Sequence, residues 1–379
     1  MPDWRVPLAD VEIGEAEIEA VAATYRSGWL SMGPRTEELE QGFSEYVGAG
    51  HAVAVTNGTA ALHLICLAAG LGPGDEVIVP SLTFVATASA VRYAGATPVF
   101  ADIVGLERPW LSAESAAARV GPRTRAIMNM TYGGHPGESA ELSALAADCG
   151  LILLEDAAHG LGGWLDGRHL GTLGLAGAFS FFANKNLPVG EGGMVVTDDD
   201  EVARRVRLLR SHGMTSLTWD RHRGSASGYD VVELGFNYRI DEPRAALAMA
   251  RLGRLDEDNA RRSSAAAAYR ERLEAVAGVT PTMAPATGIE CAHHLFTAVL
   301  DRDIDRDRVR DRLAEAGIQT SLHYPPVHRF SAYGVEAAVP LTDDYALRAV
   351  TLPLFPAITE EQVGVVIESL VEATAASRA

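Results

Sequence analysis

From about residue 50 to about residue 200, short apolar runs alternate with helical stretches, and this alternation limits the possible folds more than any other feature of the chain. His51–Thr56 (HAVAVT), Glu76–Pro80 (EVIVP), Thr97–Ala101 (TPVFA), Arg125–Met130 (RAIMNM), Leu151–Glu155 (LILLE), Ala178–Phe182 (AFSFF) and Gly193–Thr197 (GMVVT) read as strands. Thr59–Gly70 and Ala86–Ala94 read as helices between them. Apolar runs of this length between helices imply a mostly parallel sheet covered on both faces. The expected fold class is therefore α/β.

Beyond about residue 245 the texture changes. Arg251–Leu273 reads as one long helix, Leu295–Leu300 as a strand, Arg306–Ala316 as a helix, Gln319–His323 as a short strand and Thr359–Thr374 as a final helix. Thr280–Gly288 reads as a surface loop. A chain of 379 residues is long for a single core. The expected division is a large domain over 1–250, including the N-terminal segment, and a smaller α+β domain over 251–379.

Charge and composition exclude several classes. A net charge of −18 argues against a basic face for nucleic acid phosphates, though a small anion needs only a local pocket. No basic stretch followed by an apolar run opens the chain, and no run approaches the roughly 18 apolar residues of a membrane span. Neither nucleic acid nor membrane is an expected partner. The three cysteines, Cys66, Cys149 and Cys291, lie far apart and read as buried thiols in a reducing compartment, so a cytoplasmic protein is expected. His323 and His328 are separated by two prolines, with no carboxylate or cysteine beside them, and no metal site is expected. His63 and the pair His293–His294 read as packing or surface residues.

Of the 32 basic residues, only Lys185 is a lysine. Arginine serves most purposes of a surface cation, but it does not give up its proton and attack a carbonyl. A lone lysine in such a chain points to amine chemistry. Ligands of open α/β folds sit at the carboxyl ends of the strands, so the residues just after each strand are the candidates for a site. Asn57-Gly58-Thr59 opens a helix and reads either as an anion seat or as a plain N-cap. Phe84 reads either as a rim aromatic or as core. Asp156 ends an apolar strand, with His159 close behind, and reads either as a buried partner for a ligand cation or as a helix N-cap. Ser180 and Lys185 precede the glycine-rich stretch Gly190-Glu191-Gly192-Gly193. An amine, an acid, an anion seat and a flat side chain are together what pyridoxal 5'-phosphate (PLP) requires.

These residues resemble the DegT/DnrJ/EryC-type sugar aminotransferases, PLP enzymes of fold type I, over nearly the whole chain. The resemblance rests on GWLSMGP at 28–34, NGTAALHL at 57–64, PSLTFVATASAV at 80–91, EDAAHGLGG at 155–163, FSFFANKNLPVGEGGMVVTDD at 179–199, LGFNYRIDEPRAAL at 234–247 and TSLHYPPVH at 320–328. It implies a seven-stranded sheet with a smaller C-terminal domain. Lys185 matches the lysine that bonds the cofactor aldehyde, and Asp156 the partner of the ring nitrogen. His159 matches the contact to the ring hydroxyl, and Phe84 the aromatic against the ring. Gly58, Thr59 and Ser180 match the phosphate binders. Asn237 matches an asparagine that reaches the phosphate of the neighbouring subunit, which implies an obligate homodimer with shared active sites. Trp29, Tyr238, His323 and Tyr324 match positions near the sugar nucleotide.

The implied reaction moves an amino group from L-glutamate to a nucleotide-activated keto-sugar, with dTDP-4-keto-6-deoxyhexose the favoured acceptor. A 3-keto sugar nucleotide, a keto-inositol and a non-enzymatic PLP-binding regulator remain alternatives. Family members that remove a sugar hydroxyl carry histidine where this chain has Lys185. Arg239, His323 and His328 are candidates for a basic site facing a diphosphate. His212–Tyr229, basic and aromatic, reads either as a flap over the substrate or as a surface loop.

Overall fold

The computed structural model describes residues 4–378. Its strands are β1 (His51–Val55), β2 (Glu76–Pro80), β3 (Thr97–Ala101), β4 (Thr124–Met130), β5 (Ile152–Asp156), β6 (Trp164–Leu165), β7 (Arg168–His169), β8 (Ala176–Ser180), β9 (Gly193–Thr197), β10 (Val279–Pro281), β11 (Ile289–Glu290), β12 (Phe296–Leu300) and β13 (Ala349–Leu352). Seven of them form one sheet in the order β1-β9-β8-β5-β4-β2-β3. Its pairings are parallel except those of β9, which runs antiparallel to both β1 and β8. The mostly parallel α/β sheet read from the apolar runs is present.

Both faces of this sheet are covered, as the missing polar alternation demands. Val53 and Val55 of β1 face one core with Leu64 and Ile65, while the intervening Ala52 and Ala54 face another with Phe43 and Phe179. Helix α1 (Glu15–Ser27) precedes α2 (Pro34–Val47), which supplies Leu39, Phe43 and Val47 to the second core. Helix α3 (Gly58–Ala68) follows β1 directly, and α4 (Val85–Tyr93) follows β2. Their N-termini therefore sit at the carboxyl edge of the sheet. A separate core joins Tyr269, Phe296, Val350 and Leu370 around the small sheet β10-β12-β13, and Val6 from the N-terminal segment packs into it. Among the described residues no helix is long and apolar enough to cross a membrane.

Several local expectations differ from the structure. The long helix expected over Arg251–Leu273 is present from Leu255 to Leu273, and its first two expected residues instead end a preceding helix, Glu242–Leu252. The break falls at Gly253, a poor helix former, and lets Leu252 and Leu255 both enter one core. Gln319–His323 forms no strand. Gln319 N donates to Val6 O, and Ser321 makes only an isolated bridge to Thr351 before the two prolines. Thr280–Gly288 is not wholly a surface loop, because it begins inside β10 and buries Thr282 and Met283. The small sheet β11-β6-β7 had no legible pattern at two residues per strand. Cys66 is buried, but Cys149, the last residue of the helix Ser139–Cys149, is exposed, and Cys291 is half-buried.

Candidate active site

At the carboxyl edge of the sheet lies a cavity of ≈ 390 Å³. Gly58, Thr59, Phe84, Asp156, His159, Ser180, Lys185, His323 and Tyr324, all expected from sequence, line it. They come from five separate segments, four of them brought to one edge by the strands of the large sheet and the fifth, His323–Tyr324, reaching it from the C-terminal part of the chain.

Asp156 is the last residue of β5, and Glu155 immediately precedes it. Strand side chains alternate faces, so the two carboxylates separate. Glu155 accepts hydrogen bonds from the backbone N–H groups of Gly171, Leu173 and Gly174 and anchors that loop. Asp156 borders the cavity. Its Oδ2 accepts from Thr87 Oγ1 at 2.6 Å and its Oδ1 from Ala158 N at 3.2 Å. Burial raises the Asp156 pKa, while these two bonds and the charge of Lys185 pull it back. No helix begins at Asp156, so the N-cap reading fails. Phe84 is 52% exposed, which excludes the core reading.

His159 is buried and kept neutral by that burial and by the charges of Lys185 and His323. Its Nδ1 accepts from Gly133 N at 3.2 Å, so the ring proton lies on Nε2 and is donated to Tyr324 Oη, 2.9 Å away. The proton left free to reach a ligand is that of the Tyr324 hydroxyl. At the far end of the cavity α3 begins at Gly58. Asn57 Oδ1 caps it by accepting from Ala60 N at 2.8 Å and Asn57 O accepts from Ala61 N, so the cap reading holds for Asn57, while the N–H groups of Gly58 and Thr59 remain available to an anion. A Cβ on Gly58 would stand 2.8 Å from the Ser180 Cβ, so only glycine leaves this cradle open.

Lys185 is half-buried, bordering the open cavity. Desolvation lowers its pKa to about 8, against an opposing pull from Asp156. Its Nζ lies 3.4 Å from His294 Nε2. His294 is thus neither a surface residue nor plain packing, which corrects the sequence reading of the histidine pair. Thr87, His294 and Asn184 are the site residues that sequence reasoning missed. Thr87 and Asn184 stood inside quoted motifs, and nothing local marked His294. Asn184 Oδ1 is buried without a partner and lines the cavity.

Other candidates lie elsewhere. Trp29 packs on Trp219 and His222 at 4.8 and 4.6 Å between ring centroids. The segment 212–229 therefore rests on the N-terminal part of its own chain, with a short helix at Thr218–His222. Tyr238 stacks on Phe236 and meets His63 Nδ1 through its hydroxyl at 3.2 Å. Asn237 is exposed. His328 is buried against Ser81, with Nδ1 2.7 Å from Ser81 Oγ, and does not border the cavity, so it provides no charge for a diphosphate there.

The residues at the cavity fit PLP: a buried carboxylate with spare acceptor capacity, a neutral imidazole–phenol pair, an open anion cradle, an orphaned amide oxygen and an amine of lowered pKa. Sheet and site together define a PLP-dependent enzyme of fold type I. The model of the DegT/DnrJ/EryC1/StrS aminotransferase family matches residues 11–371. The spore coat polysaccharide biosynthesis protein SpsC of Bacillus subtilis (strain 168) is 39% identical, covering 97% of this chain and 95% of that protein. The aminotransferase TlmJ from Streptoalloteichus hindustanus superimposes with a TM-score of 0.92 at 35% identity, covering 98% of this chain and 99% of TlmJ. Spr1654 from Streptococcus pneumoniae, solved in a PLP form, superimposes with a TM-score of 0.92 at 26% identity, covering 99% of this chain and 100% of that one. The chain belongs to the DegT/DnrJ/EryC1/StrS family and is a PLP-dependent sugar aminotransferase.

Proposed function

We propose that this enzyme transfers the amino group of L-glutamate to a nucleotide-activated keto-sugar, with dTDP-4-keto-6-deoxyhexose as acceptor and the 4-amino-4,6-dideoxy sugar as product. The observation that carries the reading is the single cavity in which a lone lysine, a buried aspartate and a helix-terminal anion cradle converge. When bound, PLP supplies an electron sink for the carbanion at the amino-bearing carbon. Asp156, held by Thr87 and Ala158, provides a fixed negative charge that keeps a proton on a ring nitrogen. The N–H groups of Gly58 and Thr59 and the Ser180 hydroxyl would hold the phosphate, and Phe84 would lie against the ring. The Tyr324 hydroxyl, oriented by His159, would donate to the ring oxygen.

Lys185 moves the proton at the reacting carbon as general base and then general acid. With a pKa of about 8, roughly a tenth of the amine is neutral at pH 7, against about one part in three thousand at the ordinary lysine value. The sugar nucleotide enters at the open mouth, where Phe84 and Phe182 are exposed. The likeness to SpsC supports a nucleotide-linked acceptor, because polysaccharide assembly draws on activated sugars. We also propose a homodimer in which Asn237 serves the partner's phosphate site. Val231, Val232 and Leu234, the last 90% exposed, form an apolar stretch beside Asn237 that a second subunit would cover.

The visible spectrum of the purified enzyme tests the first half. A yellow band that L-glutamate bleaches is expected. Adding 4-keto and 3-keto sugar nucleotides and a keto-inositol in turn tests the second half. Colour restored by the 4-keto sugar nucleotide is expected; colour restored only by one of the others moves the acceptor to that compound. A band unchanged by glutamate overturns the donor.

A further inference from the structure

Lys185 lies at one end of a chain of side-chain hydrogen bonds with a single polarity. Asn259 Nδ2 donates to Leu161 O at 3.1 Å, which leaves Asn259 Oδ1 to accept from Asn186 Nδ2 at 2.8 Å. Asn186 Nδ2 also donates to Ala292 O at 2.7 Å. Backbone carbonyls only accept, so both amides are fixed in orientation. Asn186 Oδ1 is then an acceptor, and it lies 3.0 Å from His294 Nδ1. The ring proton of His294 is therefore on Nδ1, and Nε2 presents a lone pair to Lys185 Nζ at 3.4 Å. Asn259 lies in the helix Leu255–Leu273, and Asn186 and His294, in connecting segments, are buried. Tertiary packing, not the lysine, sets the direction of the chain.

We propose that His294 is a positioning residue for Lys185: a neutral imidazole, locked by Asn186 and Asn259 in its accepting tautomer, that holds the lysine amine at the cavity floor. The significance of that amine rests on the function proposed above; the hydrogen-bond arrangement does not. The charged or titratable groups facing His294 are Lys185, His159, His323 and Arg262, and with burial they all oppose a positive charge on the ring. His159 is also packed on it, with ring centroids 4.1 Å apart. His294 thus stays neutral and accepting while Lys185 changes protonation. A neutral acceptor favours the ammonium over the amine. Without it the lysine should titrate lower still.

Because the chain contains one lysine, protein labelled with isotopic lysine gives one side-chain amine signal. That signal is to be titrated by NMR in the full-length protein freed of cofactor, without glutamate or sugar. Failure of the transamination reading leaves this experiment untouched. For His294→Leu the midpoint is expected about one pH unit below wild type. For His294→Gln, which restores an acceptor, it should lie close to wild type. A His294→Leu midpoint equal to wild type overturns the proposal. A second measurement does not depend on the leucine variant folding. Nitrogen shifts of the labelled histidines, with His294 assigned by its absence in His294→Gln, report its tautomer in the wild-type protein. A proton on Nδ1 supports the proposal, and a proton on Nε2 overturns it.

Discussion

Replacing Lys185 by methionine should stabilise the cofactor-free protein at neutral pH and lose that advantage as the pH rises. Burial lowers the amine's pKa from 10.5 to about 8. At about 1.4 kcal/mol per pH unit the penalty is at most about 3.5 kcal/mol. It is an upper bound because the residue borders an open cavity that keeps some solvent near the amine. The direction follows from linkage. Below about pH 8 the amine is charged in both folded and unfolded chains, and the folded chain bears the whole penalty. Between pH 8 and 10.5 the folded amine is neutral while the unfolded one is still charged, so the penalty fades. Methionine, of similar length and without charge, removes it at every pH. Lys185→Met should therefore melt several degrees above wild type at pH 7, and the two should converge towards pH 10.5. No other lysine contributes to this window, and groups remote from Lys185 cancel in the difference. The assay is the melting temperature of both cofactor-free proteins across that range. A gap that does not change with pH refutes the argument that desolvation lowers the lysine pKa.

Three further outcomes are expected. Thr87→Val removes the 2.6 Å hydrogen bond to the buried Asp156 carboxylate, where water does not readily replace it. Loss of about 1.5–3 kcal/mol should lower kcat roughly 10- to 100-fold with little change in KM, whereas Thr87→Ser should stay near wild type in the same steady-state assay. Gly58→Ala places a methyl group 2.8 Å from the Ser180 side chain, so equilibrium titration should show much weaker PLP binding while the far-ultraviolet circular dichroism remains native. If the active sites are shared, mixing inactive Lys185→Ala and Asn237→Ala subunits should restore about a quarter of wild-type activity, because half of the dimers are mixed and one of their two sites is intact. No recovery after confirmed subunit exchange would place Asn237 outside the partner's site.

How much was legible depends on how far apart in the chain the interacting residues lie. The apolar runs that became β1–β5, β8 and β9 needed only local composition and length to be read. The lone Lys185 stood out from composition alone, and the cofactor followed from that lysine and the motifs after each strand. At the pair Glu155-Asp156 the sequence showed two acids ending a strand. Which one borders the cavity depended on the loop 171–174, whose N–H groups claimed Glu155.

The partners that complete the site come from distant segments. Thr87 reaches Asp156 across 69 residues, Asn259 meets Asn186 across 73, and His294 meets Lys185 across 109. A histidine in the sequence does not reveal which nitrogen carries its proton; Gly133 N decides it for His159, and Asn186 decides it for His294. From the sequence alone came the sheet, the cofactor and the lone lysine amine, because each rests on residue type and short-range pattern. Only the tertiary structure decided which neutral and charged groups surround that amine, because desolvation and hydrogen-bond direction belong to the packed interior and have no counterpart in the order of residues.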